Sequence, residues 1–102
     1  VRSLSEARPK TFILHQNYPN PFNPETTIEY ELTKPGQVRL TIYNLLGQQI
    51  QTLVDEWQPA GKYRVKWNGS RAHRAKSVAS GVYVVELRLG EKSMRRKMIL
   101  LR

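Results

Sequence analysis

Residues 62–67 read KYRVKW, a charged side chain alternating with a large apolar one at every position. Successive side chains of an extended strand point to opposite faces, so Tyr63, Val65 and Trp67 share one face and Lys62, Arg64 and Lys66 the other. On a helix the same residues would be spread around the axis, so this stretch is confined to a half-buried strand. The pattern recurs along the chain. Phe12 and Leu14 alternate in TFILH, and Ile28, Tyr30 and Leu32 alternate against Glu29 and Glu31. Val38, Leu40 and Ile42 turn inward while Arg39 and Thr41 turn to water. Tyr83, Val85, Leu87 and Leu89 share a face, as do Met94, Met98 and Leu100.

Turn signals separate these segments. Pro35-Gly36 ends one strand; Asn44 to Gly47 (NLLG) makes a four-residue hairpin, with Gly47 suited to positive φ, and QQIQTLV returns as the partner strand. DEWQPAGKY reads as a loop punctuated by Pro59 and Gly61, which leaves Trp57 partly exposed. Asn68-Gly69 starts another turn; the NGS triplet there matches a glycosylation acceptor, but Asn-Gly is read as turn chemistry. An irregular SRAHRAKS segment follows. About seven short strands at regular spacing predict an all-β fold, an immunoglobulin-like antiparallel β-sandwich.

A chain of 102 residues suffices for one domain with one core, and 39% hydrophobic with 25% charged residues suits a folded class. Cysteine is absent, which removes disulfides and thiolate chemistry. No apolar run approaches the roughly 18–20 residues of a membrane-spanning helix. The chain opens at Val1 without a signal peptide, so it is expected to be a piece of a longer protein, with residues 1–10 as a linker and 11–102 as the domain. The net charge of +9 is lopsided: residues 1–61 balance to −1 and residues 62–102 to +10. Such asymmetry suits an anionic partner (a glycolipid, a membrane surface, a nucleic acid) or a well-solvated basic face.

Catalysis is hard to assemble from these residues. His15 and His73 are the two histidines and Asp55 the one aspartate, and no carboxylate or histidine cluster has metal-ligand spacing. The domain is therefore not expected to be an enzyme, and no catalytic, cofactor or metal residue is assigned. Nucleic acid is not expected either, because Tyr63, Trp67 and Tyr83 share their face with Val65, Val85 and Leu87 and are read as core.

Residues 17–24, NYPNPFNP, place three prolines and three asparagines in eight positions. Pro19, Pro21 and Pro24 fix their own φ and restrict Tyr18, Asn20 and Asn23 to extended conformations. Asn17, Asn20 and Asn23 can satisfy backbone groups with their amides, and Tyr18 and Phe22 are expected to pin the loop to the sandwich. The loop is thus a rigid connector that a receptor could read with little ordering entropy.

Five ordered blocks, LHQNYPNPFNPETTIEYEL, VRLTIYNLLGQQIQTLV, QPAGKYRVKWNG, VASGVYVVELRLG and KMILL, together resemble the type A C-terminal sorting domain of the type IX secretion system. The resemblance covers residues 14–101. It implies an immunoglobulin-like domain that directs a folded periplasmic cargo, joined upstream, through an outer-membrane translocon to the cell surface or medium. A sortase-like cysteine peptidase would then remove it, and the cargo would be attached to an anionic lipopolysaccharide or released. Carried over, the motif residues are Asn17, Tyr18, Pro19, Asn20, Pro21, Phe22, Asn23 and Pro24; Pro59, Gly61 and Tyr63; Ser80, Gly81 and Tyr83; and Lys97 on the final strand, expected to offer charge and edge backbone groups to the translocon. Residues 70–77 depart from the resemblance in lacking a glycine. Two rival readings are a structural module similar to the immunoglobulin-like domain of flagellar hook-capping proteins, which lacks the NYPNPFNP run, and a carbohydrate-binding module, which needs an exposed aromatic platform.

Overall fold

A computed structural model describes residues 11–69 and 79–101. The expected linker and the segment 70–77 lie outside the described residues. Seven strands follow in order: β1 (Phe12–Leu14), β2 (Glu25–Leu32), β3 (Gly36–Asn44), β4 (Gln49–Gln58), β5 (Gly61–Asn68), β6 (Gly81–Leu89) and β7 (Lys92–Leu100). They form a three-stranded sheet, β1-β2-β5, and a four-stranded sheet, β4-β3-β6-β7, with neighbours antiparallel. This is the expected seven-stranded all-β sandwich, with β4 beside β3 in the larger sheet.

The period-2 pattern decides which face is buried. Ile28, Tyr30, Val38, Leu40, Ile42, Val85, Leu87, Met98 and Leu100 are each fully buried between the sheets. A one-residue slip in any strand would carry such a set into water, so the core specifies the register. The alternation of Met94, Met98 and Leu100 holds, with Arg96 in the same row. Arg96 escapes burial because β7 is an edge strand; its Nε donates to the Leu14 carbonyl of the opposite sheet at 3.0 Å.

One reading of the sequence is corrected. DEWQ is not loop: β4 runs through to Gln58, and its register with β3 shifts at Leu40/Thr41 and Ile42/Tyr43. These irregularities, at Leu53 and Ile50, let Leu53 and Val54 both pack on the core. DEWQ itself pairs regularly, but Asp55, Glu56 and Trp57 are exposed in succession and give no alternation to read. Trp57 is 61% exposed, as expected, but from a strand. Gln58, unremarkable in sequence, is buried and accepts the Tyr30 hydroxyl at 2.7 Å, tying the two sheets together.

Burial raises the pKa of the Tyr30 phenol above the ordinary 10.0, the Gln58 hydrogen bond opposing and nearby Tyr63 and Glu56 adding to the rise. A raised folded-state value means that folding favours the neutral phenol. The resulting stabilisation is whole below the unfolded value of 10.0 and is lost as pH rises through the higher folded value. We expect Tyr30→Phe to lower the urea midpoint at neutral pH, because Gln58 loses its donor, and to show a shallower alkaline decline than the native chain. Parallel declines in urea titrations across the alkaline range would contradict this assignment.

Candidate functional site

The NYPNPFNP run leaves the smaller sheet, crosses the open end of the sandwich and returns. It first continues alongside β2: Tyr18 and Thr27 exchange two backbone hydrogen bonds of 2.9 Å. Asn17 is buried under the turn that follows. Its Nδ2 donates to the Pro19 carbonyl at 3.1 Å and to Thr26 Oγ1 at 2.9 Å, while its Oδ1 accepts from Gln16 Nε2 at 2.8 Å. Thr26 Oγ1 also donates to the Pro19 carbonyl at 2.8 Å. A short amide at this position thus satisfies groups that the prolines cannot, since proline brings a carbonyl but no N–H. The peptide bonds preceding Pro19, Pro21 and Pro24 are all cis.

The run then reaches the outer edge of β7. Asn20 Oδ1 accepts the Ile99 N–H at 2.9 Å, the Phe22 N–H donates to the Ile99 carbonyl at 2.8 Å, and the Leu101 N–H donates to the Phe22 carbonyl at 2.9 Å. Phe22 pairs with Leu100 in a parallel bridge, and Gln16 Nε2 donates to the Lys97 carbonyl at 2.7 Å. The Phe22 ring enters the core, 1% exposed, with its centroid 5.6 Å from that of Trp67, itself 5.6 Å from Tyr83. At the last residues of the terminal edge, the Ile99 and Leu101 backbone groups are therefore already engaged by the proline run. Tyr18 is a second departure from expectation. Its ring is 81% exposed, so of the two aromatics expected to pin the loop only Phe22 does so.

The other two motif elements share one local device. Tyr63 Oη donates to the Pro59 carbonyl at 2.5 Å and Tyr83 Oη to the Ala79 carbonyl at 2.6 Å, each four residues back. Between donor and acceptor sit Gly61 and Gly81 at φ of 154° and 150°. This mirror-extended backbone is open only to glycine and swings the chain so that the hydroxyl meets the carbonyl, a tyrosine corner at the start of β5 and again at the start of β6. Tyr83 is buried, whereas Tyr63 is half-buried and stacks on Tyr30 at 5.2 Å. Pro59, Ser80 and Gly81 are exposed.

The fifteen motif residues thus form two groups at opposite ends. Residues 17–24, Ser80, Gly81, Tyr83 and Lys97 gather where β7 ends, Gly81 lying opposite Leu100. Pro59, Gly61 and Tyr63 sit at the far end, with Gly61 opposite Leu32. Gln16, Thr26 and Arg96 belong to the first group and went unnoticed in the sequence, because single polar residues carry no periodic signal. Of the aromatics that a sugar platform would require, Trp67 and Tyr83 are buried, and exposed Trp57 and Tyr18 lie at opposite ends. Among the described residues, no three of His, Cys, Asp and Glu come together as metal ligands would.

Phe22→Ala should lower stability by about 3–5 kcal/mol, a buried aromatic truncation. Asn17→Ala should lower it by about 1–3 kcal/mol through unpaired buried polar groups. Urea midpoints that fall with unchanged slopes would bear this out; a Phe22→Ala midpoint equal to the native one would refute the clamp.

The described geometry can be set beside known proteins. The chain matches the secretion system C-terminal sorting domain family over residues 16–101. Comparison with curated proteins gives no match. Among solved structures it is similar to dimeric latent PorU from Porphyromonas gingivalis, with a TM-score of 0.65 and 20% identity over 88% of this chain. The match spans 9% of that chain, and at this identity it speaks for the fold alone. The family match runs from Gln16, which holds the terminal strand, to Leu101, which the proline run caps, so the chain belongs to the secretion system C-terminal sorting domain family.

Proposed function

We propose that this domain is the address by which the type IX system carries a folded cargo from the periplasm across the outer membrane to the cell surface or medium. In this reading a translocon recognises the folded domain, a sortase-like cysteine peptidase removes it, and the upstream cargo is attached to an anionic lipopolysaccharide or released. The domain performs no chemistry itself. The observation that carries the reading is the closure of the proline run on the terminal strand. One rigid end presents Tyr18, Asn20, Pro21 and the Lys97 side chain, all exposed, from a scaffold whose backbone is already satisfied. A receptor meeting such a surface orders little on binding and can discriminate by side chain. Strand addition at the Ile99–Leu101 end of β7 would first have to displace the proline run, so side-chain reading is favoured at this end.

Residues 10–102 fused to a periplasmic reporter should export it in a host carrying this system, and removal of Lys97 to Arg102 should abolish export. Because that deletion also removes buried Met98 and Leu100, the sharper variant is Tyr18→Ala with Lys97→Gln. Both residues are exposed, so export should fall while the thermal midpoint holds. Retention of the full fusion in the periplasm would refute the sorting reading, and wild-type export by the truncated fusion would refute the placement of the recognition element on the final strand. Wild-type export by the double variant would refute the side-chain reading of this end.

A further inference from the structure

Among the described residues six large apolar side chains are exposed, and five of them, Tyr18, Leu45, Leu46, Ile99 and Leu101, lie at the end where β3 and β7 finish. Leu45 and Leu46, 67% and 83% exposed, occupy the apex of the β3–β4 hairpin. The apex is held firmly. Asn44 Oδ1 accepts from the Leu46 and Gln48 N–H groups at 2.9 Å, its Nδ2 donates to Gln48 Oε1 at 2.7 Å, and the Gly47 N–H donates to the Asn44 carbonyl at 3.0 Å. These bonds fix the turn from its first residue and its glycine, so its two central positions need no apolar side chain for the fold. Leucines there raise the apolar surface without adding to the core.

The surroundings of the apex identify a partner. Behind it, on the outer face of the larger sheet, a cleft of about 270 Å³ is lined by Leu45, Val84, Glu86, Arg88 and Arg95, among others. The register puts Val84 opposite Lys97 and Val82 opposite Ile99, which continues an apolar strip bordered by cations. Glu86 is the acid on this half of the face among the described residues, and it is buried. Its Oε2 accepts from Arg95 Nε at 3.0 Å and lies 3.5 Å from an Arg88 nitrogen, so it positions the guanidinium groups instead of presenting negative charge. An exposed leucine apex with Lys97, Arg95 and Arg88 along the sheet face behind it matches a bilayer surface met by tip and face together. The leucines enter the acyl boundary while the cations stay level with headgroup phosphates.

We propose that the β3–β4 apex is a peripheral membrane-docking tip, seated on a bilayer bearing anionic phospholipid headgroups. The tip works without a translocon, so its test is separate from that of the sorting reading. The 102-residue chain is floated with vesicles of phosphatidylcholine, alone or mixed with phosphatidylglycerol. The native chain should rise with the mixed vesicles. L45Q/L46Q should lower partition roughly tenfold or more, the loss expected for withdrawing two leucine side chains from an apolar phase. R88Q/K97Q should lower it severalfold at low salt and less at high salt. Lys62→Gln with Lys66→Gln, the same charge loss on the outer face of the smaller sheet, should leave partition near native. Leu46→Trp should give a blue-shifted emission increment on mixed vesicles. Failure of the native chain to float, native partition by L45Q/L46Q, equal loss in the Lys62/Lys66 control, or an unshifted emission increment from the Leu46→Trp variant would each overturn the proposal. Loss of self-association by L45Q/L46Q in sedimentation, with vesicle binding intact, would instead assign the tip to a second copy of the chain and overturn it as well.

Discussion

The hold of Phe22 on the terminal strand is the contact on which the rest of this architecture depends. A two-sheet sandwich has an open end where its apolar layer would meet water. Here one residue closes that end with its ring and, through its N–H and carbonyl, continues the β7 ladder. The ring contributes about 1.5–3 kcal/mol of burial and each backbone bond on the order of 1 kcal/mol. The same contact covers the last residues of a terminal edge that would otherwise be open there to pairing with other chains. Ring burial and edge protection come from one position because β7 and the proline run pair in parallel, which lets Phe22 point inward beside Leu100.

The distribution of polar partners divides the molecule into a stabilising interior and an informative exterior. Tyr30 and Gln58 join the sheets from within, and Arg96 and Gln16 join them along the β1–β7 side. The tyrosine corners at Tyr63 and Tyr83 serve the start of β5 and β6 and use their hydroxyls inside the fold. Motif residues of this kind look like recognition elements in a sequence comparison, yet these two commit their hydroxyls to hydrogen bonds within the fold. What remains outside, at the end closed by Phe22, is a set of side chains held by a satisfied backbone.

Legibility followed periodicity. KYRVKW, TTIEYEL and GVYVVELRL could be placed because alternation reports directly which face is buried, and Phe12, Leu14 and Met98 followed from the same rule. The end of β4 reads as loop because Asp55, Glu56 and Trp57 are exposed in succession and show no alternation, although they pair with β3 in unbroken register. Tyr18 was misplaced because an aromatic beside prolines gives no sign of which way its ring turns. The cross-sheet partners Gln16, Gln58 and Arg96 were invisible, each being one polar residue whose partner lies far away in the chain.

The order of residues along the chain, through local rules, was enough for the all-β class, the inward set of each strand, the Asn44–Gly47 turn and the stiffness of residues 17–24. Each of these arises from dihedral preference or from side chains within a few positions, so no distant contact is required. The destination of the proline run, the covering of the β7 edge, the burial of Glu86 beneath two arginines and the gathering of exposed leucines with cations at one end arose only on folding. They depend on packing and hydrogen bonding between segments as much as eighty-odd positions apart, and no local preference encodes such a meeting.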